Sequence, residues 1–204
     1  MKPITPMLAK QIDSDKKEIV LKRQKQTVAE IKYDGFRLQI VKDANDATLY
    51  TRNLNVMPIG NFPELAANIR KLPPGIFDCE LLGEGFEQNR QQAFWSVGKR
   101  AKSYEPGIEK RMPLEIRMFD VMNVKGEDVM GLEQQQRRQI VEEIARHSNI
   151  SPVKQELISG IDSLEAAYRK VVGQGLEGLV CKDMKGLYIP GGREIGRASC
   201  RERV

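Results

Sequence analysis

Three groups of residues in this 204-residue chain have the types and spacing to do chemistry. The first is Lys32-Tyr33-Asp34-Gly35-Phe36-Arg37, where a lysine ends an alternating apolar run beside an Asp-Gly turn signal. The second is Asp78-Cys79-Glu80, whose two carboxylates share one face of a strand by its period of two and are costly side by side unless something binds them. The third is Glu177-Gly178-Leu179-Val180-Cys181-Lys182, an acid and a lysine bracketing a short apolar run. A lysine is a nucleophile only when neutral, so such a site needs desolvation or neighbouring cations, for which Arg37 and Lys182 are the candidates. Singly, each group is ordinary: KxDG recurs by chance, and Glu30 or Lys182 alone reads as a surface charge on a strand.

Other chemistries are poorly supplied. The single histidine, His147, just past an apolar helical run, reads as a capping or solvent residue, which leaves no Ser-His-Asp or multi-histidine metal site unless His147 carries it alone. Cys79, Cys181 and Cys200 are far apart with no CxxC pair, so reduced thiols are expected. Neither a secretory signal nor an apolar run near the ~20 residues of a membrane span is visible, and a cytoplasmic, monomeric protein is expected. The 33 basic against 28 acidic residues, a net +5, are compatible with a polyanionic partner.

Around the reactive residues the pattern predicts an α+β domain. Thr27–Lys32 and Phe36–Val41 alternate apolar with polar and flank Asp34-Gly35, which predicts an antiparallel hairpin; Ala47–Arg52 continues the meander. Pro63 opens a helix over 64–71 that Pro73-Pro74-Gly75 ends. Further strands are expected over 75–82, 114–121 and 177–182, and helices over 88–102, 131–145 and 164–172, the last capped by Ser163. Within the strand over 114–121, Phe119 and Asp120 fall on opposite faces. In the first twenty-five residues only Thr5–Ala9 is expected to pack.

In order along the chain stand KYDGFR, Thr51-Arg52-Asn53, FDCELL, Ile116-Arg117-Met118-Phe119-Asp120 and EGLVCK. This series resembles the motifs of the covalent nucleotidyltransferases, and in particular the adenylation domain of ATP-dependent DNA ligases, an ATP-grasp-like unit of antiparallel sheets flanked by helices. The resemblance spans about Pro6 to Arg193 and implies that Lys32 attacks the α-phosphate of ATP, forming lysyl-AMP that is passed to a 5′-phosphate of nicked duplex DNA. It implies further that Glu30 reads the adenine amino group, Phe119 stacks on the base, and Arg37 and Arg52 hold ribose or phosphate oxygens. Glu80 and Glu177 match the acidic positions that hold ribose and Mg²⁺, and Lys182 lies near the phosphates. Asp78 would support Glu80 or pair with an arginine, and Asp34 would orient the turn or help position pyrophosphate. RNA ligases and capping-type guanylyltransferases share the lysine chemistry, and a catalytically dead nucleic-acid-binding module is the reading from another class.

One departure stands out. The ligases follow a Leu-Tyr-x-Pro-Gly segment with a pair of lysines that clamp the α-phosphate; here Leu187-Tyr188-Ile189-Pro190-Gly191 is followed by no such pair and by no OB-fold domain. Instead Glu194–Val204 reads EIGRASCRERV, the translation of a common sequencing adapter beginning AGATCGGAAGAGC with one G before it. The expectation is therefore an adenylation domain over 1–193, incomplete at its C-terminus, with reduced activity, and a foreign tail over 194–204 that makes no packed contact.

Overall fold

The computed structural model describes residues 1–12, 18, 21, 26–85, 90–102, 104–193 and 197–201. The expected α+β class is observed: two largely antiparallel sheets with helices packed on them. The first sheet comprises β1 (Lys10–Ile12), β2 (Thr27–Lys32), β10 (Gln155–Ile158), β11 (Gly178–Asp183) and β12 (Arg197–Arg201), in the order β1-β12-β11-β2-β10. The second runs β5-β4-β3-β6-β7-β8, from β3 (Phe36–Lys42), β4 (Ala47–Thr51), β5 (Val56–Met57), β6 (Gly75–Gly83), β7 (Leu114–Val124) and β8 (Glu127–Asp128), with β9 (Ser151–Pro152) beside β7.

The helices follow their apolar stripes. Helix α1 (Pro63–Arg70) starts on the proline, whose fixed φ suits the first turn, and buries Leu65 and Ile69. Helix α2 (Arg90–Lys102) packs on β6, and α3 (Ile108–Arg111) is a single turn. Helix α4 (Gln134–Ser148) is opened by a capping box between Glu133 and Gln136 and lies on β7. Helix α5 (Ile161–Gly173) sets Leu164, Ala167, Tyr168 and Val171 against β2, β10 and β11. Ser163 sits inside its first turn, where its hydroxyl accepts the Ser159 and Gly160 amides, rather than at the cap. His147 lies in the last turn of α4, exposed, 3.2 Å from Glu143. Cys79 and Cys181 are buried; among the described residues no helix is long and apolar enough to cross a membrane.

Two expectations about strand pairing are corrected. Thr27–Lys32 and Phe36–Val41 do not form a hairpin: β2 pairs with β10 and β11, whereas β3 pairs with β4 and β6, in the other sheet. Alternation specifies a strand and its faces but not its neighbour, and here buried Tyr33 and the Asp34-Gly35 step carry the chain from one sheet to the other. Gly35 is required by proximity, since a Cβ there would stand 2.4 Å from the Leu81 carbonyl oxygen and 2.5 Å from a Leu82 methyl.

The tail does pack. Strand β12 pairs antiparallel with β11, Cys181 opposite Ala198, and parallel with β1, with Ala198 and Ser199 buried. Strand addition rests on main-chain hydrogen bonds, which almost any extended segment supplies, and two small residues meet the space between β1 and β11. Ile195 and Val204, two of the tail's four apolar residues, lie outside the described residues.

Candidate active site

Lys32 is the last residue of β2, and Glu30 is two positions before it on the same face. Beside them runs β11, in a register that sets Gly178 opposite Lys32 and Val180 opposite Glu30. Glu177, immediately before β11, pairs with the Lys32 ammonium. Lys182 stands one diagonal step away and reaches Glu30 at 2.6 Å, both side chains almost wholly buried. The Lys182 Nζ also donates to the Phe119 carbonyl at 3.0 Å.

The opposing wall comes from the second sheet. Arg37 on β3 lies opposite Glu80 on β6. Its guanidinium donates through Nε and Nη2 to the two Asp78 oxygens at 2.9 and 2.6 Å, a fork-on-carboxylate pair, and through Nη1 to the Met7 carbonyl at 2.8 Å. Asp78 thus serves an arginine, one of the two roles left open for it.

Phe119 reaches the site through an irregularity. The β6–β7 register passes from Asp78 opposite Asp120 to Cys79 opposite Met118, leaving Phe119 without a partner across the ladder. An extra residue of this kind re-aims its side chain, so strict alternation of Phe119 and Asp120 gives way to a bulge that brings Phe119 to the cavity while Asp120 stays buried with Arg137. The Arg37 guanidinium and the Lys182 ammonium each stand 5.4 Å from the Phe119 ring centroid.

Between the sheets lies a cavity of about 710 Å³, a size usual for small-molecule sites. Glu30, Lys32, Arg37, Arg52, Glu80, Phe119, Glu177 and Lys182 line it, Arg52 being an exposed position on the rim, whereas Asp78 lies buried behind Arg37. Met7–Ala9, Asp34, Phe94 and Ser199 line it as well. Phe94 was hidden in a glutamine-rich stretch whose helix is weakly signalled, and Ser199 belongs to the tail. Arg37 and Lys182, expected to crowd Lys32 as cations, are engaged with Asp78 and Glu30; the group in contact with Lys32 is a carboxylate.

Burial pushes the Glu80 carboxyl up to about 8, against the opposing pull of Lys32 and Arg37, with Asp78 and Glu177 adding repulsion. Burial works against the Arg37 charge, but Asp78 outweighs it and holds the guanidinium protonated above its ordinary range. Burial, reinforced by Asp78 and Glu80, pushes the Cys79 thiol well up, so this cysteine is an inert core residue.

The chain matches the ATP dependent DNA ligase domain family over residues 6–197. A DNA ligase of Thermococcus onnurineus is 35% identical over 199 residues, covering 94% of this chain and 35% of that protein. One from Methanocella arvoryzae is 32% identical over 200 residues, covering 95% and 35%. The chain thus spans about a third of the length of the curated relatives it matches. Among solved structures, mycobacterial DNA ligase D complexed with ATP and MES superposes with a TM-score of 0.72 at 20% identity over 98% of this chain and 60% of that one. The ATP-dependent DNA ligase from bacteriophage T7, in complex with ATP, superposes at 0.70 and 18% over 97% and 68%, and both likenesses concern the fold. Lys32, its neighbouring acids and the Arg37 fork converge on one cavity between two sheets, and the family match over residues 6–197 takes in every strand of that framework before β12; the chain belongs to the ATP-dependent DNA ligase domain family.

Proposed function

We propose that this chain is the adenylation module of an ATP-dependent DNA ligase, and the observation that carries the reading is the single cavity in which Lys32 meets Glu177, Glu80 and two aromatic-stacked cations. The Lys32 amine, after shedding a proton for which Glu177 is the acceptor within reach, attacks the α-phosphate of ATP; the N–P bond forms and the bond to pyrophosphate breaks. Phe119 offers the face on which adenine stacks, and Glu30 a carboxylate for its amino group, released from Lys182 as the nucleotide enters. Arg37 and Arg52 bind ribose and phosphate oxygens, and Lys182 swings toward the phosphates. The AMP then passes to the 5′-phosphate of a DNA nick, and the adjoining 3′-hydroxyl displaces it.

Glu80 and Glu177 are hard oxygen donors on one cavity, and no group of three ligating side chains occurs among the described residues. Two carboxylates suit Mg²⁺, which keeps waters and phosphate oxygens in its shell, and a cation there would offset the charge that burial makes costly on Glu80. Bound there, Mg²⁺ would neutralise phosphate charge as it develops. In this reading residues 1–193 form the adenylation domain and 194–204 are foreign in origin, which sequencing the gene beyond the codon for Arg193 tests.

Incubation with labelled ATP and Mg²⁺ should place AMP on Lys32 through an acid-labile, alkali-stable bond, and Lys32→Ala should abolish the label. Transfer from GTP in preference to ATP would favour a capping-type enzyme. ATP binding with no covalent label in the wild type would favour a binding module.

A further inference from the structure

Tyr188 is where two buried ion pairs and the N-terminal Met7 segment meet. Asp78 and Asp120 face each other across β6 and β7, both buried, and each is held by its own arginine, Arg37 at 2.6 Å and Arg137 at 2.8 Å. The Tyr188 hydroxyl donates to Asp78 Oδ2 at 2.8 Å and accepts the Met7 amide at 3.1 Å, while its ring lies 5.9 Å from the Arg137 guanidinium. With Arg37 donating to the Met7 carbonyl, both backbone groups of Met7 are engaged by this cluster. Met7, Leu8 and Ala9 form part of the wall of the Lys32 cavity, yet no helix or strand includes them.

We propose that Tyr188 is a positioning residue: its hydroxyl latches the Met7–Ala9 wall and shares Asp78 with Arg37, so it governs how well a nucleotide is held rather than the chemistry at Lys32. Lys32 ends β2 and Glu177 precedes β11, strands of the other sheet from Arg37 and Asp78, which separates the two effects. The nucleotide consequence rests on the ligase reading; the latch does not.

Tyr188→Phe keeps the ring under Arg137 and removes the hydroxyl that Met7 and Asp78 share. Amide exchange at Met7 should quicken by about tenfold or more while β3 and β6 are unchanged, since a buried amide loses its acceptor. The KM for ATP in lysyl-AMP formation should rise ~5–10-fold with kcat within ~2-fold. Unchanged exchange at Met7, or a fall in kcat at constant KM, overturns the proposal. If wild-type protein forms no lysyl-AMP, the ligase reading fails and the exchange measurement alone decides the latch. Should the variant not fold, the wild type decides: a Met7 amide protected like those of β3 supports the latch, and one exchanging as fast as Lys2 overturns it.

Discussion

Glu80 is the residue where charge and surroundings conflict most. Its folded-state value of about 8 lies above that of an unfolded glutamate, so between roughly pH 4.5 and 8 the folded protein binds the extra proton. Stability therefore falls as pH rises through that window, the reverse of a salt-bridged carboxylate. Glu80→Gln removes the titration. In chelator, its melting temperature should match wild type near pH 5 and exceed it by ~3–6 °C near pH 9, as calorimetry would read. A gap that narrows with rising pH would mean that Lys32 and Arg37 keep Glu80 ionised. Partnerships between side chains follow the same logic of neutralisation: Lys182 with Glu30 and Arg37 with Asp78 are buried pairs whose separation leaves an uncompensated charge.

At the scale of elements, the site depends on two departures from regular strand pairing. One is the step from β2 to β3, where the chain changes sheets at Tyr33–Gly35 and so points Lys32 and Arg37 into the same cavity from opposite walls. Gly35→Ala would press a methyl against the Leu81 carbonyl, a backbone atom that cannot swing aside. We expect a loss of ~1–3 kcal/mol in urea unfolding. A loss below ~0.5 kcal/mol would show that the Leu81 carbonyl does not confine this position. The other departure is the bulge at Phe119, without which the ring would follow the alternation of β7.

The whole molecule is two sheets closing on one cavity, and β12 is the strand that joins β1 to the rest of its sheet. Whatever the origin of its sequence, it covers β11 and buries Ala198 and Ser199. Truncation after Arg193 should expose the β11 edge, unpin β1 and lower the melting temperature by ~3 °C or more. An unchanged melting temperature would show that β12 contributes nothing to stability.

Much of the site was legible in the sequence because its chemistry is carried by side-chain identity in short runs: a lysine before Asp-Gly, acids two apart on a strand, an acid and a lysine around an apolar strand. The α+β class and most helices followed from period and proline, both local properties. Pairing partners did not, since main-chain hydrogen bonds between strands are indifferent to sequence, and so neither the β2–β3 relation nor the fit of β12 is readable from local pattern. Which charge meets which was likewise decided in three dimensions. Sequence offered Arg37 and Lys182 as neighbours of Lys32, but burial demands compensation for every charge, and the tertiary arrangement places Asp78 and Glu30 beside those cations and Glu177 beside the lysine. Tyr188 had only a short motif to mark it. Its bonds to Met7 and Asp78 join residues 181 and 110 positions apart, a separation across which no local pattern can operate.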